Sequence, residues 1–441
     1  MINTKALREK ILDLAMRGKL VVPDLTKEKT DIFETEKQGY LPQNWVLTSL
    51  SNVATLLNGR AYKKNELLSN ERLTPVLRVG NLFTNSQWYY SDLNLDSNKY
   101  IDNGDLIYAW SASFGPRICN GGKAIYHYHI WKISLRFEES KKFMYYFLLD
   151  NAKKVKKNTT GSTMVHITKR KMEQMKVPFP PLEEQKRIVA KIEELFALID
   201  IIESNQLEFK QLAEQLDKKV LDLAMCGKLV PQNPTDEPAS VLLDKIKKEK
   251  EQLIKDKKIK KEKPLPEISK EEISYKIPDS WEWVSIRDIS TITMGQAPKS
   301  SNVNNEGNGF EFHQGKTFFS SMYVEQSGVY TTSPNKVINP PAIIMSVRAP
   351  VGDVNLIDRK IVIGRGLAAF VPENGIELLF LYNYLQTQKS YLLSLSTGTT
   401  FKAINSQTVR TINVPLPPLK EQKRIVAKIE MIRESIKRID F

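Results

Sequence analysis

Gln185-Lys186-Arg187-Ile188-Val189-Ala190-Lys191-Ile192-Glu193 recurs without a change as Gln422-Lys423-Arg424-Ile425-Val426-Ala427-Lys428-Ile429-Glu430, and a Pro-Pro-Leu precedes each copy. An unbroken match of this length marks a duplication, and an internal repeat fixes the architecture before any motif does. Two further matches extend it. Leu12-Asp13-Leu14-Ala15-Met16 with Gly18-Lys19-Leu20-Val21 returns as Leu221-Asp222-Leu223-Ala224-Met225 with Gly227-Lys228-Leu229-Val230, and Pro42 and Trp45 return as Pro278 and Trp281. Between these borders lie two blocks, 41–178 and 277–415, alike only in patches such as Thr160-Gly161 with Thr397-Gly398 and Phe143–Leu148 with Phe380–Leu385. The scaffold is duplicated closely and the inserts have diverged.

After the first insert the apolar residues keep a seven-residue period: Ile188, Leu195, Ile202, Phe209, Leu216 and Leu223. This is one seam of a coiled coil, and Ile192, Ile199 and Val220 lie on its companion, which Gln206 interrupts. The pattern predicts one helix over 183–224, roughly 60 Å long. Pro178, Pro180 and Pro181 bar an earlier start, Glu183 and Glu184 suit the positive helix end, and Gly227 is a stop. The seam returns at the C-terminus as Ile425, Ile429, Ile432, Ile436 and Ile439 but halts half-finished; the matching half is at the N-terminus, in Leu7, Ile11 and Leu14. The unit is circularly permuted through the chain ends. The two terminal helices are expected to abut and pack antiparallel to the central one, whereas periodicity alone would equally suit self-association.

Within the inserts, β-branched runs such as Ala342–Val347 and Lys360–Ile363, broken by Gly, Asn and Pro, mix with helical patterns. The expected fold class is α+β: two mixed α/β globular domains separated by an antiparallel pair of long coiled-coil helices, related by a pseudo-two-fold, circularly permuted repeat. The expected segments are an N-terminal helix in 1–20, a first domain in 41–178, a helical spacer with a charged stretch in 179–258, a second domain in 277–415 and a C-terminal helix in 416–441. The charged stretch Asp244–Lys263 has 10 Lys against 5 acidic residues and reads as a solvated helix or a basic linker.

Across 441 residues, 65 Lys and Arg face 51 Asp and Glu, a net +14 that favours a polyanionic partner such as nucleic acid. Cys119 and Cys226 stand alone, which excludes a disulfide framework or zinc site and suits a reducing cytoplasm. The start has no apolar signal core, and no apolar run reaches membrane-spanning length, so the chain reads as soluble, cytoplasmic and not exported.

No catalytic constellation emerges. Asn339-Pro340-Pro341 lacks the following aromatic of an adenine-holding motif, since residue 342 is Ala, and reads as a turn. Gly315-Lys316-Thr317 lacks the earlier Gly of a phosphate loop, that position being Phe310. His127, His129, His166 and His313 have no metal spacing and read as satisfied surface or groove histidines. What remains suits DNA contact, because such side chains read base edges or hold phosphates. These are Arg60, Lys63, Lys64, Arg78, Asn81, Ser111, Ser113 and Arg117 in the first insert, and Gln296, Lys299, Arg348 and Arg365 in the second. Lys153, Lys154, Lys156 and Lys157 lead into a polar loop with Thr160, Ser162 and Thr163; Thr397, Thr399 and Lys402 form its counterpart, and both suit phosphate or a solvated turn.

The N-terminal Leu7–Leu20 stretch, the two Trp-led inserts and both Pro-Pro-Leu-x-Glu-Gln-Lys-Arg-Ile-Val helices together resemble a specificity subunit of a type I restriction-modification enzyme, over the whole chain. The resemblance implies two target-recognition domains reading the halves of a split, asymmetric DNA site. It implies helices that set the spacer and dock two copies of a methylation subunit. Catalysis would then lie with partners: S-adenosylmethionine on the methylation subunits, ATP and Mg on a restriction and translocase subunit, and no cofactor or metal in this chain. An autonomous adenine methyltransferase or nuclease, or a DNA-free coiled-coil scaffold, are the competing readings.

Overall fold

The computed structural model describes residues 2–23, 41–83, 85–111, 115–157, 167–259, 261, 268, 273, 275–397 and 402–439, the side chains of 153 and 155–157 excepted. The chain forms two compact units, Met1–Leu207 and Glu208–Phe441.

In the first unit, a four-stranded antiparallel sheet has the order Ala54–Asn58, Ile130–Leu135, Leu106–Ala109, Gly115–Ile118. Period-two alternation gives it two buried faces. Leu106 and Tyr108 point into a core shared with Phe143, Phe147, Ile188 and Ile192 on helices, while Ile107 points into a smaller core with Leu77, Ile101 and Tyr126. The second core lies against a mixed sheet, Tyr89–Ser91, Thr74–Leu77, Ala124–Tyr126, Tyr100–Ile101. The result is three layers, helices on sheet on sheet. A short antiparallel pair, Val46–Ser49 with Lys176–Phe179, joins the two ends of the insert.

The second unit repeats this plan on different side chains. Its antiparallel sheet runs Ser290–Met294, Leu367–Pro372, Ala342–Ser346, Val354–Ile357, and its mixed sheet has a parallel pair, Phe310–His313 with Ile361–Ile363, at the same place. Ile343 and Met345 face the helix-side core, and Ala342 and Ile344 the inter-sheet core. The closing pair is Glu282–Ser285 with Asn413–Leu416.

The matched sequence segments form the same latch in each unit. Helix Thr4–Met16 ends in a Schellman motif: Gly18 N donates to Ala15 O and Lys19 N to Leu14 O, with Gly18 at φ +65°. Helix Leu182–Met225 ends alike at Gly227, φ +67°. A Cβ on Gly18 would overlap Pro42 Cγ and come within 3.3 Å of Trp45; on Gly227 it would overlap Pro278 Cγ and come within 3.3 Å of Trp281. Trp45 Nε1 in turn donates to Glu184 at 2.8 Å, and Trp281 Nε1 to Glu421 at 3.0 Å. Gln185 and Gln422 each donate to the carbonyl of the proline five residues earlier. Gly18 and Gly227, Trp45 and Trp281, Glu184 and Glu421, and Gln185 and Gln422 thus fill matching places in the two units, whereas Lys186, Ala190 and Glu193 of the same repeated run are exposed.

The long helix spans Leu182–Met225, 44 residues without Gly or Pro and about 66 Å at 1.5 Å per residue, against an expected 183–224. Within the first unit, helix Thr4–Met16 packs antiparallel to its first part: Gln206 Nε2 donates to Ile2 O, Arg8 pairs with Asp200 and lies 4.9 Å over Phe196, and Arg187 donates to Val22 O. Within the second unit, helix Leu419–Ile439 packs antiparallel to 208–225, with Arg433 gripping both carboxylate oxygens of Asp217 and donating to Asn383 at 2.8 Å.

Of the seam positions, Ile188, Ile192, Ile199, Val220, Ile425 and Ile429 are buried, and Ile11, Leu14, Leu195, Ile202, Phe209, Leu223, Ile432 and Ile436 half-buried. Leu7, Leu216 and Ile439 depart from expectation at 40%, 46% and 63% exposure. The reason lies in the neighbouring positions. Arg8 and Asp217, a helical step of about 100° away, make the interhelical contacts, so the buried faces are Leu12, Ala15, Met16 and Leu221, Ala224, Met225. Ile439 sits in the last described turn. In the charged stretch, Ala239–Lys255 is a helix resting on Leu242 and Ile246.

Candidate nucleic-acid interface

In each unit three strand ends meet at one edge of the antiparallel sheet. In the first, Ala54–Asn58 leaves the sheet at Gly59, Leu106–Ala109 leaves at Trp110, and Ile130–Leu135 enters from His127-Tyr128-His129. The backbone ties are Gly59 N to Ile130 O, Arg60 N to Tyr126 O, Tyr128 N to Arg60 O and Trp110 N to His129 O, all at 3.0 to 3.3 Å. In the second, the corresponding places hold Gly295-Gln296, Val347-Arg348 and Gly364-Arg365-Gly366. Gln296 N donates to Ile363 O at 3.0 Å and Val347 N to Gly366 O at 2.9 Å. Gly59 and Gly295 are required alike, since a Cβ on either would overlap the carbonyl of the facing loop.

The second unit brings most of its expected contact residues together here. Arg348 is bridged to Ala403, Ala349 N donates to Lys402 O, and Thr397 pairs with Ala403, which places Arg348, Thr397 and Lys402 beside Gln296 and Arg365. Gln296, Lys299, Arg348, Arg365, Thr397 and Lys402 are all exposed. Among the described residues, none of the four cations has an acidic side chain within salt-bridge distance. An uncompensated basic edge with an amide beside it is suited to phosphate oxygens and base edges.

The first unit fills the same edge with rings. The rings of His127, Tyr128 and His129 lie with centroids 3.9 to 4.9 Å apart in tilted and edge-on contacts, and Trp110 lies edge-on 4.8 Å from His129 with its indole Nε1 donating to Tyr128 O. Arg60 stands beside them with its fork on Glu66, at 2.8 and 3.2 Å, and its guanidinium 5.4 Å from the Tyr62 ring. Arg60 holds the Glu66 carboxyl below its usual range. Arg78 follows strand Thr74–Leu77, packs over Tyr89 at 5.1 Å, and reaches this edge through Leu77 O, which accepts from His127 N. Burial, then the neighbouring His129 and Arg78, lower His127 to about 4, so it is neutral at physiological pH. Lys63 and Lys64 are exposed on the adjoining turn.

The remaining sequence expectations fall elsewhere. Ser111 is buried, because Ile167 N reaches Trp110 O and the chain leading to helix Lys169–Glu173 covers that side. Asn81 is consumed capping its own turn, accepting from Arg78 N and donating to Gln87 O. With Arg117, whose guanidinium lies 4.8 Å over Phe83, it lines a cavity of about 520 Å³ at the second sheet. Ser113, Thr160, Ser162, Thr163, Thr399 and His166 lie outside the described residues. His313 is a core histidine, fully buried and bonded at 2.9 Å to Glu311, which Arg359 also grips. Lys316 is engaged by Asp353, and Asn339-Pro340-Pro341 is a bend leading into strand Ala342–Ser346. Trp110 and Tyr128 were not expected; the Tyr126-His127-Tyr128-His129 run, aromatic or imidazole throughout, is the sequence signal that marks Tyr128.

Among the described residues no group of three or more His, Cys, Asp or Glu could hold a metal ion, and no helix is long and apolar enough to cross a membrane.

The model of the type I restriction modification DNA specificity domain matches this chain twice, over residues 42–211 and 278–438. The chain belongs to that family. Each match takes in one insert together with the helix that follows it. A Methanocaldococcus jannaschii protein named after the type I restriction enzyme MjaX is 29% identical over 428 residues, covering 92% of this chain and 91% of its own. The EcoAI type I specificity subunit of Escherichia coli is 26% identical, covering 99% of this chain and 90% of its own. A solved chain from work on assembly of a type I R-M system superimposes with a TM-score of 0.66 at 24% identity, over 90% of this chain and 92% of that one. As a type I specificity subunit, the chain has the family's twofold domain repeat and its long helix.

Proposed function

We propose that this specificity subunit reads an asymmetric, two-part DNA target, the block 41–178 taking one half and 277–415 the other, and that it carries no catalytic site of its own. The observation that supports the reading is the repeated edge: one fold presents two different sets of side chains at equivalent strand ends, while the Gly, Pro, Trp, Glu and Gln of the latches around it are the same in both units. A symmetric target would need like edges. The helices Thr4–Met16, Leu182–Met225 and Leu419–Ile439 would fix the distance between half-sites and receive two methylation subunits. Those would bring S-adenosylmethionine, with a restriction and translocase subunit bringing ATP and Mg.

The test is to map adenine methylation in genomic DNA from cells carrying the cognate methylation subunit, with and without this chain. A split, asymmetric motif that vanishes without the chain is expected, and exchanging block 277–415 should alter one half-site only. Methyl transfer or DNA cleavage by the purified chain alone would overturn the reading in favour of an autonomous enzyme. DNA affinity indifferent to salt would favour a scaffold, because a chain that neutralises several phosphates weakens steeply as salt rises.

A further inference from the structure

In the second unit the loop Gly364-Arg365-Gly366 presents one side chain only. A Cβ on Gly366 would sit 2.5 Å from Gln314 O, and one on Gly364 would overlap the Gln314 amide and lie 3.0 Å from its Cα, so both flanks must stay bare. The backbone is fastened on three sides. Gly364 N donates to His313 O at 2.8 Å and Gly366 N to Gln314 O at 3.2 Å, Gly366 O accepts from Val347 N, and Ile363 O accepts from Gln296 N. Arg365 is exposed at the tip, and no described carboxylate occupies its guanidinium. Arg60, at the equivalent edge of the first unit, differs on this point, because Glu66 already fills its fork.

We propose that Arg365 reads a guanine in the half-site served by the second unit. A guanidinium offers two parallel donors, and O6 and N7 of guanine are the one base edge in the major groove with two acceptors side by side. A fastened loop with bare flanks can approach a base edge closely, and little ordering entropy is lost when it does. The narrow glycine flanks favour groove entry over a phosphate contact, for which Arg348, Lys299 and Lys402 on the same edge suffice. This inference rests on the two-part reading proposed above.

The experiment compares methylation motifs in cells expressing the complex with wild-type chain, Arg365→Ala or Arg365→Lys. Expected is a motif in which one G·C pair of the second half-site becomes degenerate in Arg365→Ala, discrimination there falling about tenfold to a hundredfold, and less so in Arg365→Lys, with the first half-site and spacer unchanged. Loss of a phosphate contact would weaken methylation without relaxing any one position, and lysine can still donate to O6 and N7, so a motif preserved in Arg365→Ala overturns the proposal. So does a wild-type second half-site without a guanine. Should the variants lose methylation altogether, binding of the wild-type complex to targets carrying 7-deazaguanine at each guanine in turn decides: one position in the second half-site must weaken binding, and none doing so overturns the assignment. A wild-type motif that is not split fails the two-part reading instead, which separates the two outcomes.

Discussion

At the edge of the first unit a run of rings, His127-Tyr128-His129, meets Trp110 edge-on beside an arginine already held by Glu66. At the same strand ends of the second, two glycines flank a lone arginine, with Arg348 and Lys402 close by and no acid among the described residues to answer them. The surroundings do not differ in this way: Gly18 and Gly227, Trp45 and Trp281, Glu184 and Glu421 occupy matching places with matching bonds. Divergence therefore spares the latch and extends over the strand ends and the insert cores alike. A close-packed scaffold tolerates few changes, whereas an exposed strand end tolerates almost any.

Removing part of the shared scaffold should have the largest effect. Leu12 and Leu221 are equivalent, and both are buried at the helix face. Leu12→Ala and Leu221→Ala should each cost about 2–5 kcal/mol in denaturant unfolding. Leu7→Ala and Leu216→Ala, on seam positions that stay exposed, should cost less than about 1 kcal/mol. Equal losses at Leu7 and Leu12 would mean that the heptad, not the observed face, governs packing.

The latch comes next. Gly18→Ala and Gly227→Ala combine a positive φ with overlap on proline, and each should destabilise by at least about 1 kcal/mol, to similar extents. Glu184→Ala leaves the buried Trp45 indole and the Asn44 amide without this acceptor and should cost about 1–3 kcal/mol. Burial of the charge pushes Glu421 above the usual carboxylate range, and the Trp281 and Gln232 donors only partly offset it. Its folded pKa exceeds its unfolded one, so ionisation opposes folding and the Glu421 contribution declines as pH rises above the ordinary carboxylate range. A markedly different cost at Gly18 and Gly227 would break the equivalence of the two latches.

At the edges the comparison is sharper in salt dependence than in stability. Arg348→Ala with Lys402→Ala should lower the slope of log affinity against log salt by about 2, measured on a target-length duplex. Arg60→Ala should change that slope by less, since Glu66 already neutralises this cation. A larger loss at Arg60 would show that DNA displaces Glu66 and that the ring-lined edge is as electrostatic as the basic one.

The helices, their ends, the permuted repeat and the mixed α/β character of the inserts, with β-branched runs such as Ala342–Val347, were legible because each leaves a periodic or identical trace in sequence, whereas strand order leaves none. The edge was half legible. Gln296, Arg348, Arg365 and Lys402 stand out as cations and an amide in an insert, and they do converge. Asn81 and Arg117 stood out equally but were drawn to a cavity and to local caps, since composition carries no information on which strand ends meet. Trp110 and Tyr128 escaped notice because rings read as core until a sheet edge exposes them. The seam error was one of rotation: heptads fix the spacing of contacts, and the polar clasps of Arg8 and Arg433 decided which face turned inward.

The smallest effect expected is that of pH on the ring-lined edge, and its sign follows from burial. His127 titrates near 4 in the folded unit against an ordinary 6.5, because its partly desolvated ring, facing His129 and Arg78, resists a proton. The unfolded chain binds that proton first, so stability from this group is complete above about pH 6.5 and is lost as pH falls toward 4. Around neutrality nothing should change. DNA affinity should be flat with respect to His127 between about pH 6.5 and 8, and His127→Gln should leave the salt slope as it was. An imidazole resonance assigned to His127 that titrates near 6.5 would show the ring to be solvated. The ring-lined edge would then be loose, and the first unit would present a pH-dependent cation of its own.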